Sequence, residues 1–179
     1  MINPVFHLDP DRLGLSMREV REEFQSLKDH DAFEAIHDTS EGADQTSWFY
    51  KPPTWNFVMN YDEHQSVCAL IYSIIPECSS VDSQFYWQLP NTIVPAHIDV
   101  EHVWAAINVM GGTDNGPVCF EPGGLFTYDC ALLNVRTTHS VPEWPADRYY
   151  VRFNIVGPVD SRMPFDEICR RFASYAKSC

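Results

Sequence analysis

From Arg148 to Ile155 the chain alternates strictly. Arg148, Tyr150, Arg152 and Asn154 share one parity, and Tyr149, Val151, Phe153 and Ile155 share the other. Successive side chains of a β-strand point to opposite faces, so this run reads as a strand with its apolar set against a core. Its polar set then faces either water or a polar cavity. The neighbouring sequence has a related texture. SWFY, WNFVMNY, SVCALIYSII and SQFYWQL are short runs of aromatic and β-branched residues, separated by clusters of Pro, Asp, Ser and Glu. Further strands are expected at His97 to Val109, Val118 to Phe120, Leu125 to Tyr128, Ala131 to Arg136 and Tyr149 to Val156, with a long turn at Gly111 to Pro117. Many short strands with regular turn signals point to an all-β sandwich or barrel rather than a parallel βαβ sheet.

Helical patterns are confined to the ends. Ser16-Met17-Arg18-Glu19 has the capping-box pattern, and Met17, Val20, Phe24 and Leu27 follow at helical spacing. A short second helix is expected from Asp31, with Phe33 and Ile36 inward. Residues 1–15, with Pro4, Pro10 and Gly14, read as an extended arm, and Thr39 to Gln45 as a loop. Near the C-terminus Phe165, Ile168, Cys169, Phe172 and Ala176 form a stripe behind Pro164. The expected organisation is one domain: residues 1–46 as helical support, 47–158 as the β core and 159–179 as a C-terminal helix.

Composition narrows the function. The chain has 179 residues, 12 basic against 25 acidic, for a net charge of −13. Tracking a phosphate backbone takes clustered Lys and Arg, so nucleic acid is disfavoured as a partner. The longest apolar stretch, Val67 to Ile71, is strand-sized, so no membrane partner is expected. The start MINPVFHLDPDRLG lacks a basic segment followed by an apolar run, and the expected location is cytoplasmic. The six cysteines show no metal-binding spacing and are expected as reduced, mostly buried thiols.

The chemistry-bearing residues lie between Pro95 and Val156. In extended backbone His97 and Asp99 project to the same side. With His139 they make two imidazoles and one carboxylate, the facial set that leaves coordination positions open and suits non-haem Fe(II). Arg148 and Arg152 follow on one face of the last strand, and a guanidinium fork suits a carboxylate. His7, His30, His37, His64 and His102 lack partners at ligand spacing and read as packing or surface residues.

An HxD triplet, a His-Ser-Val 42 residues on, and an arginine nine residues later resemble the Fe(II)/2-oxoglutarate-dependent dioxygenase superfamily. LPNTIVPAHID is similar to the segment entering the HxD motif in the aspartyl/asparaginyl β-hydroxylase-like and prolyl-hydroxylase-like branches. LFTYDCALLNVRTTHSV resembles the strand pair that delivers the distal histidine. The resemblance covers residues 83–157. It implies a double-stranded β-helix (jelly-roll) barrel with flanking N- and C-terminal α-helices. It implies that His97, Asp99 and His139 ligate Fe(II), and that the far carboxylate of 2-oxoglutarate pairs with Arg148. Arg152 is expected to share that carboxylate or to meet an acid group on the substrate. It further implies hydroxylation of a C–H bond with O2 consumed and succinate and CO2 released. The retained carboxylate of Asp99 argues against halogenation. The expected substrate is a small molecule, an amino acid or a short peptide. A second basic residue in the pocket would favour one bearing a carboxylate. Tyr86, Gln88 and Asn108 are candidate pocket groups, Trp144 a candidate for the mouth, and Lys51 to Thr54 a candidate lid. Two alternatives stay open: a cupin-like metal enzyme without 2-oxoglutarate, and a non-catalytic jelly-roll binding module.

Overall fold

A computed structural model describes residues 3–35, 55–58 and 62–178. Ile36, His37, the expected loop at Thr39 to Gln45, the SWFY run, the lid at Lys51 to Thr54 and Cys179 lie outside the described residues. Within them run β1 (Val5–His7), α1 (Met17–Asp29), β2 (Glu34–Ala35), β3 (Trp55–Val58), α2 (Gln65–Ile74), β4 (Ser80–Gln88), β5 (Val94–His97), β6 (Val103–Met110), β7 (Val118–Phe120), β8 (Gly124–Phe126), β9 (Cys130–Leu133), β10 (His139–Val141), β11 (Arg148–Val156) and α3 (Phe165–Arg171). The strands form two antiparallel sheets, ordered β1-β9-β6-β11-β4-β3-β2 and β5-β10-β7-β8. Among the described residues no strand pair joins one sheet to the other, so the expected barrel is an open sandwich whose halves meet through side chains.

β11 is the axis of the larger sheet. All nine of its residues pair with β4, from Arg148 opposite Gln88 to Val156 opposite Ser80, and its other edge pairs with β6. The alternation read from the sequence sorts its faces. Val151, Phe153 and Ile155 are fully buried in an outer core with Phe85, Ile107, Leu132 and residues of all three α-helices. Tyr150, on the opposite face, joins a second core with Met110 and Leu133 of the larger sheet and Val94, Val118, Phe120 and Val141 of the smaller one. Every residue of β6 is buried, because both faces and both edges of that strand are covered.

α1 starts as expected. Ser16 is its N-cap, the Ser16 Oγ accepts from the Glu19 N–H at 3.2 Å, and the Glu19 carboxylate accepts from the Ser16 N–H at 2.7 Å. Phe24 projects from this helix onto the sheet, stacked on Tyr149 at 3.9 Å between ring centroids and 6° between planes. His64 sits against the same helix, with Nε2 2.9 Å from a Glu23 carboxylate oxygen, and so has the packing role read for it.

Four local expectations are corrected. SVCALIYSII is a helix, not a strand: Val67, Cys68 and Ile71 bury one side of α2, and Ile75 beyond its end is buried too. A short apolar run fits either period, and the helical one wins here because a single stripe needs covering. The N-terminal arm is not merely extended but supplies β1, paired with β9 as an edge strand. In place of a second helix at Asp31, that residue has φ of 53° and the chain enters β2. The segment His97 to Val109 is two strands separated by a turn, which places Asp99 just beyond the end of β5. The C-terminal stripe holds in part: Phe165, Ile168 and Phe172 are buried on the short α3 and its end, while Ala176 lies past the helix in a bridge to Leu8.

The five described cysteines are unpaired, with Cys68, Cys78 and Cys130 buried. Burial pushes the Cys130 thiol well above its ordinary range, as expected of an inert core residue.

Phe24 is buried in the outer core against the rings of Phe33, Phe85, Trp87 and Tyr149. Phe24→Ala is expected to lower unfolding stability by about 3 kcal/mol, read as a shift in the denaturant midpoint at unchanged slope. A shift equivalent to less than about 1 kcal/mol would show that α1 contributes little to the core.

Candidate metal centre

The two histidines meet because of strand register. His97 is the last residue of β5, His139 the first of β10, and the antiparallel pairing sets them directly opposite each other. Side chains directly opposite on one face are neighbours, and the two imidazole centroids lie 4.4 Å apart. Phe120 on β7 is the next residue across the sheet from His139, its ring 5.5 Å from the imidazole. Asp99 reaches the pair from the turn after β5. Its N–H donates to the Val135 carbonyl at 3.2 Å, and its own carbonyl accepts from the Arg136 guanidinium. One nitrogen of each histidine and one oxygen of Asp99 lie within 4.8 Å of one another. The three residues singled out by the sequence are therefore brought together.

Hydrogen bonding fixes what each group offers. His97 Nδ1 lies 2.8 Å from the Pro95 carbonyl and His139 Nδ1 lies 2.9 Å from the Thr137 carbonyl, each two residues back. A carbonyl only accepts, so both Nδ1 atoms carry the proton and each Nε2 turns inward. Both Nε2 atoms lie 3.4 Å from the same Asp99 oxygen, Oδ1. In the neutral imidazoles three lone pairs then converge on one point, an arrangement that calls for a cation. Oriented imidazoles anchored through their outer nitrogen, together with a carboxylate oxygen, fit a transition-metal ion.

The other Asp99 oxygen is engaged by Arg152. Arg152 Nη2 donates to Asp99 Oδ2, and Arg152 Nε donates to Asn154 Oδ1 at 2.7 Å. Burial would by itself raise the Asp99 carboxyl. The Arg152 guanidinium outweighs it and holds the group well below the usual carboxylate range. The guanidinium is likewise held in its charged form against burial by Asp99. The polar chain continues outward. Asn154 Nδ2 donates to Asp82 Oδ2 at 3.2 Å and to Gln84 Oε1 at 3.3 Å, and the Tyr86 hydroxyl donates to Gln84 Oε1 at 2.5 Å.

The two arginines have different surroundings. Arg152 lines a cavity of about 500 Å³ that opens beside the triad, lined also by Asp82, Gln84, Tyr86, Asn154, Ile98 and Val100. Arg148 is buried further back along β11. Its Nη1 donates to the Pro117 carbonyl at 3.0 Å, and its Nη2 points at the Gly116 carbonyl at 3.5 Å. Among the candidate pocket groups, Tyr86 lines the cavity. Gln88 and Asn108 are buried in the sandwich, donating to the Thr92 carbonyl and the Tyr128 hydroxyl. Trp144 is away from the triad, donating to Asp114 at 3.1 Å beside a second cavity of about 450 Å³. His102, read as a bystander, lines the triad cavity without joining the ligand cluster. Asp82 and Gln84 were missed. The alternation of β4, with Ser80, Asp82, Gln84, Tyr86 and Gln88 on one parity, was the signal that marks them.

No protein-family model and no curated protein sequence matches the chain. Solved structures do. A prolyl hydroxylase from Trichoplax adhaerens, in complex with a hypoxia inducible factor peptide fragment, is similar over 98% of this chain and 88% of its own, at 12% identity and a TM-score of 0.61. A Pseudomonas putida prolyl-4-hydroxylase is similar over 86% of this chain and 90% of its own, at 9% identity and a TM-score of 0.57. The non-haem alpha-ketoglutarate-dependent epimerase SnoN of nogalamycin biosynthesis is similar over 86% of this chain and 77% of its own, at 13% identity and a TM-score of 0.51. The chain has the fold shared by these three enzymes.

Proposed function

We propose that the protein is an Fe(II)- and 2-oxoglutarate-dependent oxygenase that hydroxylates a C–H bond of a small molecule or an amino-acid or peptide side chain. The observation that carries this reading is the convergence of His97 Nε2, His139 Nε2 and Asp99 Oδ1 inside this fold. When bound, Fe(II) and 2-oxoglutarate supply oxidative decarboxylation by O2, releasing succinate and CO2 and transferring one oxygen atom to the substrate. His97, Asp99 and His139 would hold the metal, two imidazoles and one carboxylate being a set that leaves coordination positions open.

Arg148 is the residue we assign to the far carboxylate of the diacid. The charge of Arg152 is already paired with the Asp99 carboxylate, whereas a diacid chelating at its keto end needs its second cation a chain length away. Arg148 lies four residues back on the same face, about 13 Å along the strand at 3.3 Å per residue, and its side chain spans part of that distance. Its two carbonyl contacts leave part of its five-donor fork for a carboxylate. Met110 and Tyr150, both buried between the sheets, would help keep water from such an ion pair.

The test is anaerobic titration with Fe(II) and then 2-oxoglutarate. A weak visible charge-transfer band should appear with the diacid and vanish on admitting O2, with succinate formed. Metal binding without a band would indicate a cupin-like enzyme, and no metal binding would end the proposal. His139→Ala and Asp99→Ala should each abolish stoichiometric metal binding while the circular dichroism spectrum stays that of the wild type.

Arg148→Met should leave metal affinity unchanged and raise the 2-oxoglutarate requirement at least about thirtyfold, the loss that truncating one partner of a buried charge pair brings. Unchanged co-substrate kinetics in that variant would move the role to Arg152.

A further inference from the structure

Resting on the oxygenase reading of the triad, we infer that the cavity takes a substrate bearing a cationic amine or guanidinium held by Asp82, with its aliphatic part against Ile98 and Val100. Among the described residues the charges lining the cavity, histidines apart, are Asp82, Asp99 and Arg152. Arg152 does not serve as a receptor for a substrate carboxylate, the role its position in the sequence suggests. Its Nη2 is on Asp99 and its Nε is on Asn154. Asp99 and Arg152 neutralise each other. A metal dication and the dianion of 2-oxoglutarate would do the same. Asp82 is what remains.

Asp82 is exposed on the cavity wall, and Asn154 Nδ2 donates to one of its oxygens. Among the described residues no Lys, Arg or His forms an ion pair with it. A solvated carboxylate in a cleft of low-dielectric walls, on a chain of net charge −13, draws in cations and repels anions. Two aliphatic side chains line the same cavity. Ile98 and Val100, either side of Asp99, are 48% and 59% exposed, large aliphatic side chains left open beside the candidate metal ligand. Such a surface packs the methylene stem of an amphipathic cation.

Register sets the length. Asp82 pairs with Asn154 and Gln84 with Arg152, so the Asp82 backbone lies two residues, about 7 Å, further along the strands than that of Arg152, whose guanidinium holds Asp99. An ammonium at Asp82 would thus leave a chain of roughly lysine side-chain length between itself and the triad.

The test uses protein loaded with Zn(II), as a redox-silent stand-in for Fe(II), and 2-oxoglutarate, titrated by NMR with n-pentylamine and, separately, with pentanoate. The amine should bind and the acid should not. Asp82→Asn should weaken amine binding about fivefold, the scale of one solvent-accessible ion pair, with Zn(II) and 2-oxoglutarate affinities unchanged. Asp82→Lys should admit pentanoate and exclude the amine. Equal binding of both probes by the wild type, or amine affinity indifferent to Asp82→Asn, overturns the proposal. Failure of Zn(II) or 2-oxoglutarate to bind counts against the oxygenase reading instead. The same titration of the metal-free protein then still reads the charge preference, since Asp82 is not in the ligand cluster.

Discussion

The Asp99 carboxylate is the point on which the candidate site depends, because it ties the two sheets together at the open end of the sandwich. His97 and His139 come from the smaller sheet and Arg152 from the larger, and all three converge on this one group. A buried carboxylate left alone would be strongly penalised, and removing one partner of such a pair typically costs about 3–5 kcal/mol. Here the anion is divided. Oδ2 faces the guanidinium and Oδ1 faces the imidazoles. The backbone at Asp99 is held as firmly, by the Val135 carbonyl on one side and the Arg136 guanidinium on the other. A residue that lies past the end of its strand thereby acquires the fixed position that a ligand needs.

Strand periodicity was the legible part of the sequence. The alternation of β11 gave both of its faces, and with them the division between an outer core under the helices and an inner core between the sheets. The capping box at Ser16 was legible because its chemistry is local. The triad was legible as spacing, although the pairing of His97 with His139 is a matter of register between strands 42 residues apart in the chain. What failed was the assignment of short apolar runs. In α2 the helix is chosen by a concave apolar surface beneath it, made of residues distant in sequence, and no property of SVCALIYSII alone records that surface. The N-terminal arm became β1 for a similar reason: the free edge of β9 was there to pair with it.

The two arginines mark a finer limit. Alternation correctly puts Arg148 and Arg152 on one face, and it says nothing about what waits opposite each. One meets the carbonyls of the turn before β7, the other a carboxylate across the sandwich. A difference of four residues along a strand, about 13 Å, is longer than an arginine side chain, so the two guanidinium groups occupy separate environments. The choice between them belongs to the tertiary structure.

Sharing Asp99 with Arg152 also shapes what the metal site can be. A carboxylate with both oxygens available can close on a metal through two bonds and fill two positions. With Oδ2 occupied by a guanidinium, Asp99 presents one oxygen, and the three protein groups would offer a metal three donor atoms only. Under the proposed function, the open positions that co-substrate and O2 chemistry require would thus be protected by a residue that need not touch either. The guanidinium also withdraws charge from the ligand oxygen, which weakens its grip on a cation. The same contact removes the entropy of orienting the side chain, which strengthens it. Anchored outer atoms on all three groups, at the Pro95 and Thr137 carbonyls and at Arg152, indicate a site in which orientation is the larger effect.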